Sequence, residues 1–139
     1  MTRVDFYVLP QDALEQRALF ACRLTEKAFR QGHQVYLHAE DEAMAGDIDR
    51  LLWSHRPQSF IPHGHLGGDD AAQVAIGWGE DPGECRDIMI NLALSVPTFV
   101  GRFERVLDIV VQHPSVRDPL RESWKHYKSY GYPIQKNDL

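Results

Sequence analysis

The stretch that decides the fold is "VDFYVLPQDALEQRALFACRLTEKAFRQGHQVYLHA", residues 4–39. It opens with apolar residues that alternate with others, a pattern that predicts a β-strand. Asp12 followed by Glu15 is typical of a helix start, because the Asp side chain can accept from the first free N–H groups. Gly32 is a typical helix stop, and "QVYLHA" (residues 34–39) predicts a second strand. Strand, helix and strand joined by short connections predict parallel pairing with a right-handed crossover.

The rest of the chain continues this alternation. An acidic run, residues 40–42, predicts the start of a second helix, because carboxylates suit the positive end of the helix dipole. Short apolar runs predict further strands at "QVAIGW" (73–78), "DIMINLAL" (87–94) and "FERVLDIVV" (103–111). We therefore predict an α/β fold with a largely parallel or mixed twisted sheet flanked by helices.

The C-terminal part predicts one more helix. Asp118 followed by Pro119 favours a helix start, with an N-cap side chain ahead of Pro at the first helical position. Gly131 predicts its end, and "YPIQKNDL" (residues 132–139) is predicted to be a tail.

Size and charge restrict the possible classes of function. The 139 residues, 43% of them hydrophobic, predict a single domain over residues 1–139. The net charge of −5 does not favour nucleic acid, although residues 101–139 hold 7 Lys/Arg against 5 Asp/Glu. No apolar run approaches the roughly 20 residues of a membrane span, and the N-terminus lacks the layout of a signal peptide. With only two cysteines, a reduced, cytoplasmic setting is expected.

A strand-helix-strand start raises the question of a nucleotide site. The chain has no G-x-x-x-x-G-K-S/T sequence, and Gly77, Gly79 and Gly83 lack the G-x-G-x-x-G spacing. The first strand–helix junction, "LPQDALEQ" (residues 9–16), contains no glycine, so its backbone cannot wrap closely around a phosphate. The sequence therefore predicts a nucleotide-binding-like sheet without a phosphate-binding loop and without a cofactor.

Residues 53–68, "WSHRPQSFIPHGHLGG", are predicted to form a loop, and this loop allows two interpretations. His63 and His65 could be metal ligands of a small metal-dependent hydrolase, but a zinc site needs three or four ligands in fixed geometry. Asp69 and Asp70 follow without a recognisable metal spacing. Alternatively, the apolar residues of this Pro- and Gly-rich segment could contact a partner protein. We expect no metal.

The last predicted helix carries two neighbouring ridges. A basic ridge comprises Arg117, Arg121, Lys125 and Lys128, and an apolar ridge comprises Leu120, Trp124 and Tyr127. The ordinary interpretation is a core face beside a solvated charged face. Basic and aromatic side chains together would also suit an acidic and aromatic ligand, such as a peptide tail or single-stranded nucleic acid. The net charge argues against direct nucleic-acid binding.

A set of short motifs, in order along the chain, resembles one known family. They are "FYVL" (6–9), "LW" (52–53), "SFIPH" (59–63), "RDIMINL" (86–92), "RFERVLDIV" (102–110) and "YKSYGY" (127–132). Over nearly its whole length the chain resembles the chi subunit of bacterial DNA polymerase III. The family pattern requires only the first histidine of "PHGH", which argues further against a metal-binding role for His65.

The resemblance implies a non-catalytic adaptor in DNA replication. Chi subunits pair with the small psi subunit, which tethers them to the clamp loader, and they bind the acidic C-terminal tail of single-stranded-DNA-binding protein, which ends in Pro-Phe. Some also pair with a repair helicase through the psi-binding surface. The implied setting is the cytoplasm of a bacterium, at the replisome, with indirect DNA contact, no cofactor and no membrane contact.

The resemblance also assigns site residues by position. Those implied for psi binding are Trp53, Phe60 and Pro62. Those implied for tail binding are Val110, Arg117, Arg121, Trp124 and Lys125. Arg117 stands where the family has a lysine and Trp124 where it has a tyrosine, and both changes keep the chemistry.

Overall fold

A computed structural model describes residues 1–55, 63–65 and 73–139. The strands are β1 (Arg3–Val8), β2 (Val35–His38), β3 (His63–His65), β4 (Val74–Gly77), β5 (Ile88–Asn91), β6 (Arg105–Val110) and β7 (Ile134–Asp138). The helices are α1 (Glu15–Arg30), α2 (Glu42–His55) and α3 (Pro114–Ser129). The strands form one sheet in the order β3-β4-β2-β5-β6-β1-β7. Every pairing between the described strands is parallel, so the predicted α/β fold is confirmed.

Helices cover both faces of the sheet. Successive side chains of a strand point to opposite faces, and β1 shows where each face packs. The Tyr7 ring lies 5.5 Å from that of Phe20 on α1, whereas the Phe6 ring lies 5.0 Å from that of Trp124 on α3 (centroid distances). All residues of the central strands β2 and β5 are buried, because both faces of the sheet are covered there.

Helix α1 begins later than its sequence predicts. Its N-cap position is Leu14, which makes no side-chain capping bond, so the predicted start at Asp12 is wrong. The chain stays non-helical after β1 because its backbone still pairs with the segment after β6: Gln112 N donates to Gln11 O over 2.8 Å. The predicted stop is confirmed, since Gly32 has φ +86°, a conformation that glycine adopts without steric cost.

Helix α3 begins at Pro114, so the predicted start at Asp118 is wrong. His113 is the N-cap, and its Nδ1 accepts from Ser115 N at 3.2 Å. The earlier start adds a turn that buries Val116 in the core, and it leaves Pro119 inside the helix, where it has no N–H to donate. Gly131, with φ +78°, follows the end of the helix as predicted.

The predicted tail, residues 132–139, is instead the edge of the sheet. Residues 134–138 form β7, which pairs with β1 in a register that sets Lys136 opposite Phe6. This strand has no apolar alternation from which it could be predicted. An edge strand is largely solvated, and backbone pairing with its neighbour is enough to hold it in place. At the other side of the molecule α2 extends to His55, which places Trp53 on a helix rather than in a loop.

Candidate binding groove

An open groove of about 790 Å³ lies beside α3 and the edge of the sheet. It is lined by Phe6, Val8, Val110, Gln112, Arg117, Asp118, Leu120, Arg121, Glu122, Trp124, Lys125 and Lys136. The five residues that the family resemblance assigns to tail binding are all in this lining. The fold brings them together because β6 ends at Val110 and a short turn leads directly into α3. That these residues bind a peptide tail stays a prediction.

The floor of the groove is apolar and partly open. Trp124 is half-buried, and its ring lies 5.0 Å from that of the buried Phe6. Leu120 and Tyr127, the other members of the predicted apolar ridge, are almost completely buried. The ridge therefore divides: Leu120 and Tyr127 anchor α3 to the core, and Trp124 is left with a face toward the groove.

The basic side chains form a wall along α3. Arg117, Arg121 and Lys125 have side chains 33%, 66% and 73% exposed. Asp118 Oδ1 lies 3.3 Å from Arg117 Nε and 3.7 Å from Arg121 Nη1, and Glu122 Oε1 lies 3.2 Å from Lys125 Nζ. Exposed pairs of this kind contribute about 0–1 kcal/mol, so an acidic ligand can displace the resident carboxylates.

Lys128, the last member of the predicted basic ridge, is exposed but is not part of the lining of this groove. It lies in the last turn of α3. The groove therefore uses three of the four basic residues that the helical spacing groups together.

Six lining residues were not predicted as part of a site: Phe6, Val8, Gln112, Asp118, Glu122 and Lys136. Phe6 and Val8 belong to a strand that was predicted, and their alternation placed them on one face, but no local signal indicates which helix covers that face. Lys136 was missed because its strand was predicted to be a tail. Phe6 and Val8 come to the groove because β1 pairs with β6 under α3, which sets Val8 opposite Val110 and Phe6 against Trp124. Lys136 comes to it through the pairing of β7 with β1.

A buried polar cluster lies behind the floor. Asp108 on β6 is fully buried; its Oδ1 accepts from Asn91 Nδ2, and its Oδ2 accepts from Tyr127 OH, each over 3.2 Å. Burial raises the pKa of Asp108 from 3.8 to about 7. Burial, together with the charge of Asp108 and the hydrogen bond to it, raises the pKa of the Tyr127 hydroxyl. The cluster ties α3, and with it the groove, to the central strands.

The carboxyl end of the sheet, where open α/β folds bind nucleotides, contains a buried arginine. Arg17 on α1 donates from Nε to Ile109 O and from Nη1 to Leu92 O, both at 2.8 Å. Burial lowers the pKa of Arg17, while the charges of Asp108 and Glu40 act in the opposite direction. A guanidinium committed to backbone carbonyls serves to hold strand ends together, and its burial was not foreseen from the sequence.

The residues assigned to psi binding are only partly described. Trp53 lies in the last turn of α2, with 51% of its surface exposed. Phe60 and Pro62 lie outside the described residues.

The side chains that the metal hypothesis involves are not among those that the structure describes. His63 and His65 belong to β3, and only the backbone of that strand is described. Among residues 1–55, 63–65 and 73–139, no group of three or more His, Cys, Asp or Glu could hold a metal ion. Within the same residues, no helix has the length and apolar character that crossing a bilayer requires.

The fold resembles that of a solved structure titled "The crystal structure of T4 UvsW", with a TM-score of 0.69. The alignment covers 99% of this chain and 41% of that chain, at 8% sequence identity. At this identity the likeness shows a shared fold alone.

Sequence comparison is more specific. A family model described as "DNA polymerase III chi subunit, HolC" matches residues 1–135. The DNA polymerase III subunit chi of Pseudomonas aeruginosa is 50% identical over 139 residues, covering 100% of this chain and 98% of that protein. The chi subunits of Escherichia coli and Haemophilus influenzae are 32% and 30% identical, and at least 96% of each chain is aligned. The chain belongs to the DNA polymerase III chi subunit family, and it is a component of DNA replication.

Proposed function

We propose that this chain is a non-catalytic adaptor of the DNA polymerase III holoenzyme. One surface, the groove beside α3, binds the acidic C-terminal tail of single-stranded-DNA-binding protein. A second surface, around Trp53, Phe60 and Pro62, binds the psi subunit and through it the clamp loader. The adaptor acts in the bacterial cytoplasm at the replisome, without a cofactor, and its contact with DNA is indirect.

The observation that carries the tail-binding proposal is the composition of the groove. Its lining combines Arg117, Arg121 and Lys125 with the half-buried ring of Trp124. A peptide that ends in Phe after an acidic run offers matching chemistry: a ring for the apolar floor, a terminal carboxylate for a guanidinium, and further carboxylates for the remaining cations.

Arg121 is the best candidate for the terminal carboxylate. It lies one helical turn from both Arg117 and Lys125, and its side chain is 66% exposed, so it is central and accessible. A guanidinium holds a carboxylate by two parallel hydrogen bonds, which the single ammonium of lysine cannot do. Trp124, three residues further along the helix, would form one wall for the terminal Phe, with Val110 supplying another.

Isothermal titration calorimetry with a synthetic acidic peptide ending in Pro-Phe tests this assignment. A charge-assisted hydrogen bond contributes roughly 1.5–3 kcal/mol, so Arg121→Ala should weaken binding by about tenfold or more. Lys128→Ala, which removes a cation outside the lining, is the matched control and should leave the affinity unchanged. Equal affinities of wild type and Arg121→Ala would refute the carboxylate assignment.

The same titrations separate this proposal from direct binding of single-stranded nucleic acid. An unrelated acidic peptide and an oligo(dT) replace the Pro-Phe peptide in two further titrations. Preference for the Pro-Phe peptide supports the adaptor, whereas tighter binding of the oligonucleotide would favour the nucleic-acid alternative.

The psi surface rests on the family resemblance and on the exposure of Trp53. An aromatic side chain that is 51% exposed on a regular helix is the type of anchor that dominates protein interfaces. Binding of psi should survive Arg121→Ala, because the groove and the psi surface use different segments. Loss of psi binding in that variant would indicate damage to the fold.

A further inference from the structure

The basic side chains of the groove do not all come from α3. Lys136, on the edge strand β7, is part of the same lining as Arg117, Arg121 and Lys125. Phe6 and Lys136 are opposite each other in the parallel register of β1 and β7, so their side chains leave the same face of the sheet. Phe6 in turn contacts Trp124 of α3. The apolar floor therefore has cations on both of its sides.

The Lys136 ammonium is available to a ligand. Its side chain is 55% exposed, and its Nζ lies 3.4 Å from Oδ1 of Asp138, whose side chain is 69% exposed. A pair as exposed as this one contributes little to stability, and the four-carbon stem of lysine lets the ammonium change partners. A carboxylate of a bound peptide can therefore replace Asp138 as the partner of Lys136.

We infer that Lys136 makes the groove a two-sided clamp for an acidic peptide. This inference rests on the proposed tail-binding function. It adds one binding residue and the orientation of the peptide in the groove. The terminal carboxylate and the last aromatic ring of the peptide bind against α3 and Trp124. The acidic side chains that precede them lie toward β7, where Lys136 contacts one of them. Specificity for an acidic run then depends on the edge strand as well as on the helix.

A simpler role must be distinguished from this one. Lysines on edge strands commonly prevent sheets of different molecules from pairing, and such a lysine need not bind anything. In that role Lys136 would not contribute to the affinity for a bound peptide, whatever the charge of the peptide. In a clamp it would contribute to the affinity for an acidic peptide only. The two roles therefore differ in whether removing the Lys136 charge weakens binding of an acidic peptide more than binding of a neutral one.

The experiment is a double-mutant cycle between protein and peptide. Wild type, Lys136→Met and the control Lys128→Met are titrated with an acidic peptide ending in Pro-Phe and with the same peptide carrying Asn and Gln in place of its acids. Lys136→Met keeps an apolar side chain of similar length and removes the ammonium, with its charge and its N–H donors. We expect this change to weaken binding of the acidic peptide by about threefold, the size of one exposed charge pair. Its affinity for the neutral peptide should equal that of wild type.

Salt supplies a second readout. The effect of Lys136→Met should shrink as the ionic strength rises from roughly 0.02 M to 0.3 M, because an exposed charge pair is screened. Lys128→Met should bind both peptides as wild type does at each salt concentration.

Three results would contradict the inference. If Lys136→Met and wild type bind the acidic peptide equally while Arg121→Ala loses binding, the Lys136 assignment is wrong and the proposed function stands. If Lys136→Met loses as much affinity for the neutral peptide as for the acidic one, the side chain acts by packing and not by charge. If wild type binds neither peptide, the proposed function fails and the clamp fails with it.

Discussion

Replacing Asp108 by asparagine should change how the stability of this protein depends on pH. The carboxyl is fully buried on β6, and burial raises its pKa from 3.8 to about 7. Because its pKa is higher in the folded than in the unfolded chain, the folded state binds more protons between about pH 4 and pH 7. The contribution of Asp108 to the free energy of unfolding is therefore retained below pH 4 and falls as the pH rises through that window.

The magnitude follows from the two pKa values. At about 1.36 kcal/mol for each pH unit, the rise from 3.8 to about 7 amounts to about 4 kcal/mol over the full window. Between about pH 5 and pH 8 the share is about 3 kcal/mol. The amide introduced by Asp108→Asn cannot ionise, so the variant should lack this part of the pH dependence. That amide keeps the size of the carboxyl group between Asn91 and Tyr127.

Urea denaturation followed by tryptophan fluorescence, at about pH 5 and pH 8, measures the effect. Titrations that both proteins share cancel when the change for wild type is compared with the change for Asp108→Asn. Any constant effect of the altered hydrogen bonds cancels as well, because it is the same at both pH values. We expect the stability of the variant relative to wild type to increase by about 3 kcal/mol between the lower and the higher pH. Parallel stabilities at the two pH values would refute the argument that burial dominates the titration of Asp108.

Three further predictions concern the two proposed surfaces. Trp124→Ala should weaken binding of the Pro-Phe peptide by about tenfold, measured by calorimetry, and an unchanged affinity would exclude Trp124 as a wall for the terminal Phe. Asp118→Asn should strengthen binding of the same peptide by about threefold at low salt, because it removes the resident carboxylate beside Arg117 and Arg121; weaker binding would contradict this competition. Phe60→Ala should reduce psi binding by about 2 kcal/mol or more, and normal co-purification of that variant with psi would count against this surface.

The local pattern of the sequence was sufficient for the central sheet. Alternation predicted β1, and apolar runs predicted β2, β4, β5 and β6 close to their observed positions, because strands buried in a parallel sheet are mostly apolar. The ends of α1 and α3 were equally clear, because Gly32 and Gly131, which follow them, adopt positive φ, which other residues rarely do.

Helix starts were less predictable than helix ends. Asp12 and Asp118 are both good capping residues by type, and neither begins a helix. In each case contacts distant in sequence decide the start: backbone pairing with the segment after β6 delays α1, and burial of Val116 advances α3. A capping side chain favours a start by only about 1 kcal/mol, which tertiary contacts readily exceed.

By itself, the sequence determined the fold class and the family, since apolar periodicity and motif order are properties of the chain. The five positions for tail binding are a prediction from the family resemblance. Only the tertiary structure decided that those five positions share one groove and that Phe6 forms its floor. It also decided that residues 134–138 form a strand and bring Lys136 to the opposite side of the groove from α3. The reason is physical: a polar edge strand is specified by backbone hydrogen bonds to its neighbour, which leave no apolar pattern in its own side chains.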